Sequence, residues 1–284
     1  MTVPPSYFGH MVPGYIVAAD GTTTSPITIP IGLLRLWDTG AVWYYIAANE
    51  PLSWTGFDGF LTLAKNLEAE VMYVFGRAPE AECLPGTMVP TLSAWTLFVQ
   101  AVIERAQGRI KYWELWNEPA VASLYWAGGT VGELYERSAI AHGLIKAAVP
   151  NAVVLTPSFN DLPEHYSAVF VRAYLERMRN YGNAADAIAF HSYGDAVSDL
   201  KLLKSHMAAN RIDLPIYLTE TVATPTVLAA LAGKVGSVVH NAQIEGEDDL
   251  DASSGKGLAW AQAYKDLTKP LSLWKRILRL LHLG

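Results

Sequence analysis

Short apolar runs alternate with longer amphipathic stretches along almost the whole chain, and this alternation limits the possible folds more than any other feature. Residues 7–12, 32–37, 70–75, 112–118, 152–156, 187–193, 215–220 and 235–244 read as strands, dense in aromatic, β-branched and other apolar side chains. Between them, residues 57–67, 93–106, 132–149, 166–181, 200–209 and 226–231 carry apolar side chains at helical spacing. Phe57, Phe60, Leu61, Ala64 and Leu67, for example, share one helical face. Strand following helix in regular succession implies a parallel sheet. One closed barrel commonly takes about 250 residues, so a chain of 284 residues with eight such units fits a single-domain (β/α)8 TIM barrel spanning residues 1–284.

Two of these strands end in a glutamate. Tyr112-Trp113-Glu114-Leu115-Trp116-Asn117-Glu118-Pro119 is an aromatic run stopped by a proline, which has no N–H for a ladder and turns the chain into a loop. Pro215-Ile216-Tyr217-Leu218-Thr219-Glu220 is the second. Glu118 and Glu220 lie 102 positions apart (220 less 118), about three units at roughly 30–40 residues per unit. The carboxyl ends of barrel strands carry catalytic groups. Two carboxyls facing one pocket suit glycoside hydrolysis, which needs a proton donor at the leaving oxygen and a group to meet the oxocarbenium-like centre.

Together with Leu34-Arg35-Leu36-Trp37-Asp38 near the start and Phe190-His191-Ser192-Tyr193 before the second glutamate, these stretches resemble the retaining glycosidases of the large (β/α)8 clan A. They are most similar to family 39 and its exopolysaccharide-degrading relatives. The resemblance runs from about Phe8 to Glu220. It implies a retaining β-glycosidase acting within an oligo- or polysaccharide, with Glu118 as acid/base and Glu220 as nucleophile. The charge on Glu220 is then expected to keep Glu118 protonated near neutral pH. Asn117 is carried over as donor to the sugar 2-hydroxyl, and Tyr193 as donor to the nucleophile. His191 takes the matching position on the sixth strand. Arg35 has two readings. It is a buried ion pair, for which Glu114 is the natural partner, or an arginine that holds the nucleophile ionised.

Aromatic residues crowd the loops of the expected catalytic face: Trp37, Trp43, Tyr44, Tyr45, Trp54, Trp116, Tyr125 and Trp126. Rings of this kind stack on the apolar faces of sugars, and Trp37, Trp43 and Trp126 are expected to bind substrate. One departure from the family pattern falls on the eighth strand. A tryptophan platform is expected there, but the chain reads Val239-His240-Asn241-Ala242-Gln243.

Other classes find less support. A formal charge of −6 argues against a nucleic-acid surface. Cys83 is the sole cysteine, so no intramolecular disulfide forms. Gly233-Lys234-Val235-Gly236 is too little for a phosphate loop, and no cluster of His and Asp has metal-ligand spacing, so neither cofactor nor metal is expected. Residues 1–5 have no charged start and no apolar core, so no signal peptide is expected in this chain; cytoplasmic and secreted locations both stay open. No run of about 18 apolar residues suggests a membrane span. Lys275, Arg276, Arg279 and His282 share one face of a last helix over residues 271–283, whose other face is expected to pack on the barrel. Glu245, Glu247, Asp248, Asp249 and Asp251 form an acidic loop after the eighth strand, a solvated surface or a bias against uronic-acid polymers. The competing readings are a carbohydrate-binding barrel without catalysis and an exo-acting β-xylosidase or β-glucosidase. Oligomeric state is not legible.

Overall fold

The computed structural model describes residues 2–268, except 13–15, 26, 38, 49–50, 122–124, 161, 163–164, 223, 242–249 and 251–254. Among the described residues there are eight strands: β1 (Phe8–Met11), β2 (Leu33–Leu36), β3 (Glu70–Val74), β4 (Tyr112–Glu114), β5 (Val153–Leu155), β6 (Ile188–Ser192), β7 (Ile216–Thr221) and β8 (Val238–Asn241). Every ladder between them is parallel. The order β5-β4-β3-β2-β1-β8-β7-β6 is closed by parallel bridges Leu155–Ala187 and Phe159–Phe190. The chain is therefore a (β/α)8 barrel.

The described helices are α1 (Trp43–Ile46), α2 (Thr55–Asn66), α3 (Leu92–Ala106), α4 (Val131–Ala148), α5 (His165–Tyr181), α6 (Ala196–Ala209), α7 (Pro225–Leu231) and α8 (Gly255–Thr268). None is long and apolar enough to cross a membrane. Local chemistry sets their starts. Thr130 and Glu133 form a reciprocal capping box at α4, so that helix begins before Gly132. Thr91 caps α3, its side chain accepting from Ala94 N, so that helix begins before residue 93. Ser93 already lies inside the helix. Trp43–Ile46, read from sequence as loop, closes one short helical turn above the rim.

Period-two alternation sorts the strand side chains. Met11, Leu33, Met72, Val74, Tyr112, Leu155, Ala187, Ala189 and Val239 fill the barrel interior. Their neighbours, among them Phe8, Leu34, Leu36, Tyr73, Trp113, Ile188 and Leu218, face the helices. The last expected helix, residues 271–283, and the acidic positions 245–249 and 251 lie outside the described residues.

Candidate active site

Glu118 stands beyond the strand that leads to it. The β4 ladder stops at Glu114, and residues 115–118 continue as loop rather than strand. Glu118 has φ 43, a left-handed conformation uncommon for a residue with a side chain. Its N–H donates to Ser158 Oγ at 3.1 Å, and Ser158 N in turn donates to Trp116 O at 2.9 Å. The loop after β5 thus pins the strained turn after β4, which is where stored backbone strain is commonly found.

Glu220 reaches the interior by a different route. Tyr217 packs with the interior cluster and Leu218 with the helix-facing layer. Simple alternation would point Thr219 inward and Glu220 outward. The β6–β7 register instead steps from Phe190↔Leu218 to His191↔Glu220, and the β7–β8 register also shifts between Leu218 and Thr221. One extra residue in β7 turns Glu220 into the barrel, a known use of bulges beside active sites. Thr219 Oγ1 is left buried without a hydrogen-bond partner at this point.

Arg35 joins the two glutamate-bearing strands. It projects inward from β2 and is fully buried. Nη2 and Nε donate to Glu114 Oε1 and Oε2 at 2.6 and 3.3 Å, a two-pronged pair. Nη1 donates to Glu220 Oε2 at 2.8 Å, and Nη2 also donates to Asn117 Oδ1 at 2.9 Å. The ion pair with Glu114 and the grip on Glu220 therefore coexist in one side chain. Burial opposes charge on Arg35, but Glu114 and Glu220 more than offset it and hold the guanidinium protonated. With Oδ1 turned to Arg35, the Asn117 amide keeps its N–H donors for another partner.

Two further donors meet Glu220 Oε1. Tyr193 donates its hydroxyl, and Asn241 Nδ2 donates at 2.7 Å. Asn241 Nδ2 also lies 3.1 Å from the Tyr193 oxygen. Burial, then the Glu220 charge, raise the Tyr193 pKa and keep that hydroxyl a donor. Burial alone would favour a neutral Glu220. The positive field of His191 and Arg35 and the hydrogen bonds from Tyr193 and Asn241 outweigh it, so the carboxyl sits below its ordinary pKa. Asn241 occupies the β8 position where sequence resemblance suggests a tryptophan. The polar pair His240-Asn241 at a strand end was the available signal.

His191 couples the two carboxyls. Its Nε2 lies 3.2 Å from Arg35 Nη2 and its Nδ1 2.6 Å from Glu118 Oε1. The two hydrogens of Nη2 go to Glu114 Oε1 and Asn117 Oδ1, and Nδ1 is the ring atom that faces both glutamates, 3.7 Å from Glu220 Oε2. Arg35 is the permanent cation of the site. Ligand atoms of Glu118, His191 and Glu220 all lie within 4.8 Å of one another. Two carboxylates and an imidazole are a donor set that metal ions accept. Here, though, both oxygens of Glu220 are already held by Arg35, Tyr193 and Asn241.

No family model and no curated protein sequence matches the chain. Solved structures do. A glucosidase from Croceicoccus marinus superposes with a TM-score of 0.71 at 15% identity, over 94% of this chain and 68% of that one. A family 44 xyloglucanase from Paenibacillus polymyxa gives 0.58 at 16% identity, over 93% of this chain and 76% of its own. A family 39 glycoside hydrolase from Bacteroides cellulosilyticus gives 0.58 at 11% identity, over 84% and 57%. The fold is the one these glycoside hydrolases share. At such identities the likeness speaks for the barrel, and the chemistry rests on the side chains.

The three tryptophans expected at the sugar are placed elsewhere or only nearby. Trp43 is buried and stacks on Phe98, centroids 4.2 Å apart and planes 1° from parallel. Trp126 is buried edge-on against Trp116 and donates to Thr130 O at 3.1 Å. Both serve the layer between sheet and helices, where large rings fill volume. Trp37 stays at the top of the barrel, its ring 5.6 Å from that of Tyr125 and under the Arg77 guanidinium. A side chain at Gly76 would meet the Trp37 ring at 2.7 Å, so only glycine fits there, at φ 153. Sequence reasoning missed Ser158 and Asn241.

Proposed function

We propose that the protein is a retaining β-glycosidase that cleaves within neutral β-linked glycans of the glucan and xyloglucan type. The observation that carries this reading is the pair Glu118 and Glu220, one carboxylate oxygen of each lying within 4.8 Å of the other, in unlike surroundings. Retaining enzymes hold their carboxyls about 5–5.5 Å apart, whereas inverting enzymes need about 6.5–9.5 Å to admit a water. The glucosidase and xyloglucanase among the similar folds support the substrate class.

Glu220, kept ionised by Arg35, Tyr193 and Asn241, attacks the anomeric carbon. The bond to the leaving oxygen breaks as that oxygen takes the proton of Glu118. The sugar is then held as an ester on Glu220. In the second half, Glu118 removes a proton from water, the water oxygen attacks the anomeric carbon, and Glu220 leaves as carboxylate. Asn117 offers its amide to the sugar 2-hydroxyl. His191 orients Glu118 through Nδ1 and is itself held beside Arg35.

Proton NMR of the first-formed product tests the reading. Hydrolysis of an aryl β-glucoside or a cello-oligosaccharide is expected to release the β-anomer first. Release of the α-anomer first would overturn retention.

A further inference from the structure

A second concavity lies on the same rim, away from the two glutamates. The loops after β2, β3 and β4 enclose a groove of about 740 Å³ lined by Tyr44, Tyr45, Arg77, Glu80, Met88 and Tyr125, among others. Three of its large side chains are open to solvent: Tyr44 at 55%, Tyr45 at 46% and Met88 at 43%. Tyr44 and Tyr45 are consecutive on α1, with ring centroids 5.5 Å apart and planes at 77°, so their faces point in different directions. Exposed aromatics gathered around a concavity mark a binding surface more often than a bare one.

The walls are formed in advance. Met88 N donates to Ala127 O at 2.8 Å, tying the β3 loop to the β4 loop. Within the β3 loop, Leu84 N donates to Val89 O at 2.8 Å and Thr87 N to Leu84 O at 3.0 Å. A preformed groove binds without the entropic cost of ordering its loops. Its charges balance, with Arg77 on one side and Glu80 on the other, so its lining favours neither anions nor cations.

The groove lies beside the candidate active site, with Trp37 between them. Tyr125 lines it and meets Trp37 at 5.6 Å. Arg77 lines it and covers the same Trp37 ring at 5.4 Å. Trp37 packs on Gly76, whose side-chain position lies 3.8 Å from Asn117 N, one residue from Glu118. We propose that this groove holds sugar units of the same neutral glycan chain remote from the bond being cleaved, with Tyr44 and Tyr45 as stacking platforms. The proposal rests on the glycosidase reading and adds to it a dependence on chain length. Pyranose rings present apolar C–H faces to aromatic rings, and binding energy gathered away from the reacting bond is available for catalysis.

The test compares 4-nitrophenyl β-glucoside with cello-oligosaccharides of two to six units and xyloglucan oligosaccharides, using wild type and a Tyr44→Ala/Tyr45→Ala double variant. Wild type is expected to gain in kcat/KM with chain length. The double variant is expected to lose roughly tenfold or more on the longest substrates, mainly through KM, with the aryl glucoside unchanged. Both tyrosines are on the surface, so the fold tolerates their truncation. Equal losses on short and long substrates, or no loss on either, would overturn the groove proposal and leave the catalytic reading standing. Oligosaccharide binding in calorimetry, weakened by the double variant but with no cleavage, would overturn the catalytic reading and keep the groove. Neither binding nor cleavage would overturn both.

Discussion

The ends of β4 and β7 each present one glutamate to the same space, and they do so in opposite ways. Glu118 sits past its strand on a left-handed turn, its side chain 16% exposed, with His191 as its hydrogen-bond partner in the protein. Glu220 sits within its strand on a bulge, its side chain 9% exposed, with Arg35, Tyr193 and Asn241 all donating to it. The difference teaches how one barrel separates two chemically identical groups. A nucleophile must remain ionised and fixed while it attacks, and then depart as a carboxylate. Three donors, one of them a permanent cation, serve both needs. An acid/base must exchange protons with a sugar oxygen and with water in turn. Among the described residues, that group has one carboxylate oxygen without a protein partner. Pairs of carboxyls driven apart by their surroundings are a general signature of divided acid and base roles.

Truncations are expected to break this comparison unequally. In the proposed mechanism Glu220→Ala removes the atom that forms the ester, and turnover of every substrate is expected to fall by several orders of magnitude. Glu118→Ala is expected to cost about 10²–10⁴-fold where the leaving group needs a proton, and much less on 2,4-dinitrophenyl glycosides, which leave unaided. Added azide should restore turnover in Glu118→Ala and yield the β-glycosyl azide, because the small anion occupies the space of the missing carboxyl. Azide rescue giving the β-azide in Glu220→Ala and the α-azide in Glu118→Ala would exchange the two roles.

A smaller effect sharpens the same contrast. Asn241→Ala removes one donor to a charged group, a change worth roughly 1.5–3 kcal/mol, and a loss of about ten- to a hundredfold in kcat is expected. Glu220 has its pKa depressed in the fold. Its ionised form, and the stability tied to it, are therefore present above the ordinary carboxylate range and lost as pH falls through the depressed value. Without Asn241 the acid limb of kcat/KM is expected to move to higher pH, while the alkaline limb stays in place. Asn241→Asp, which adds a like charge beside Glu220, should move it further. An acid limb unmoved in both variants would remove Asn241 from the control of the nucleophile.

Much of the barrel could be read because its periodicity is repeated eight times, and errors at single boundaries do not disturb the alternation. Glu118 and Glu220 were visible for a local reason: each follows a dense apolar run and precedes a break in the pattern. What the sequence did not display depends on contacts between distant segments. The bulge in β7 leaves no mark in Ile216–Thr221, since its register is set against β6 and β8. Ser158 supports Glu118 from 40 residues away, and nothing near it in sequence announces that contact. The tryptophans misled for a related reason. Trp43 and Trp126 have the side chain that binds sugars, but the same ring fills the layer around the barrel, and only packing distinguishes the two uses. Asn241 was in view, and the absence of a tryptophan drew attention away from the donor that had taken its place.

The central claim is that Glu220, and not Glu118, carries the sugar between the two half-reactions. A 2-deoxy-2-fluoro glycoside with a good leaving group slows the second half-reaction and lets the ester accumulate. Peptide mapping by mass spectrometry after such inactivation is expected to find one sugar on the peptide containing Glu220, at that residue. A label on Glu118, or turnover with inversion and no label at all, would contradict it.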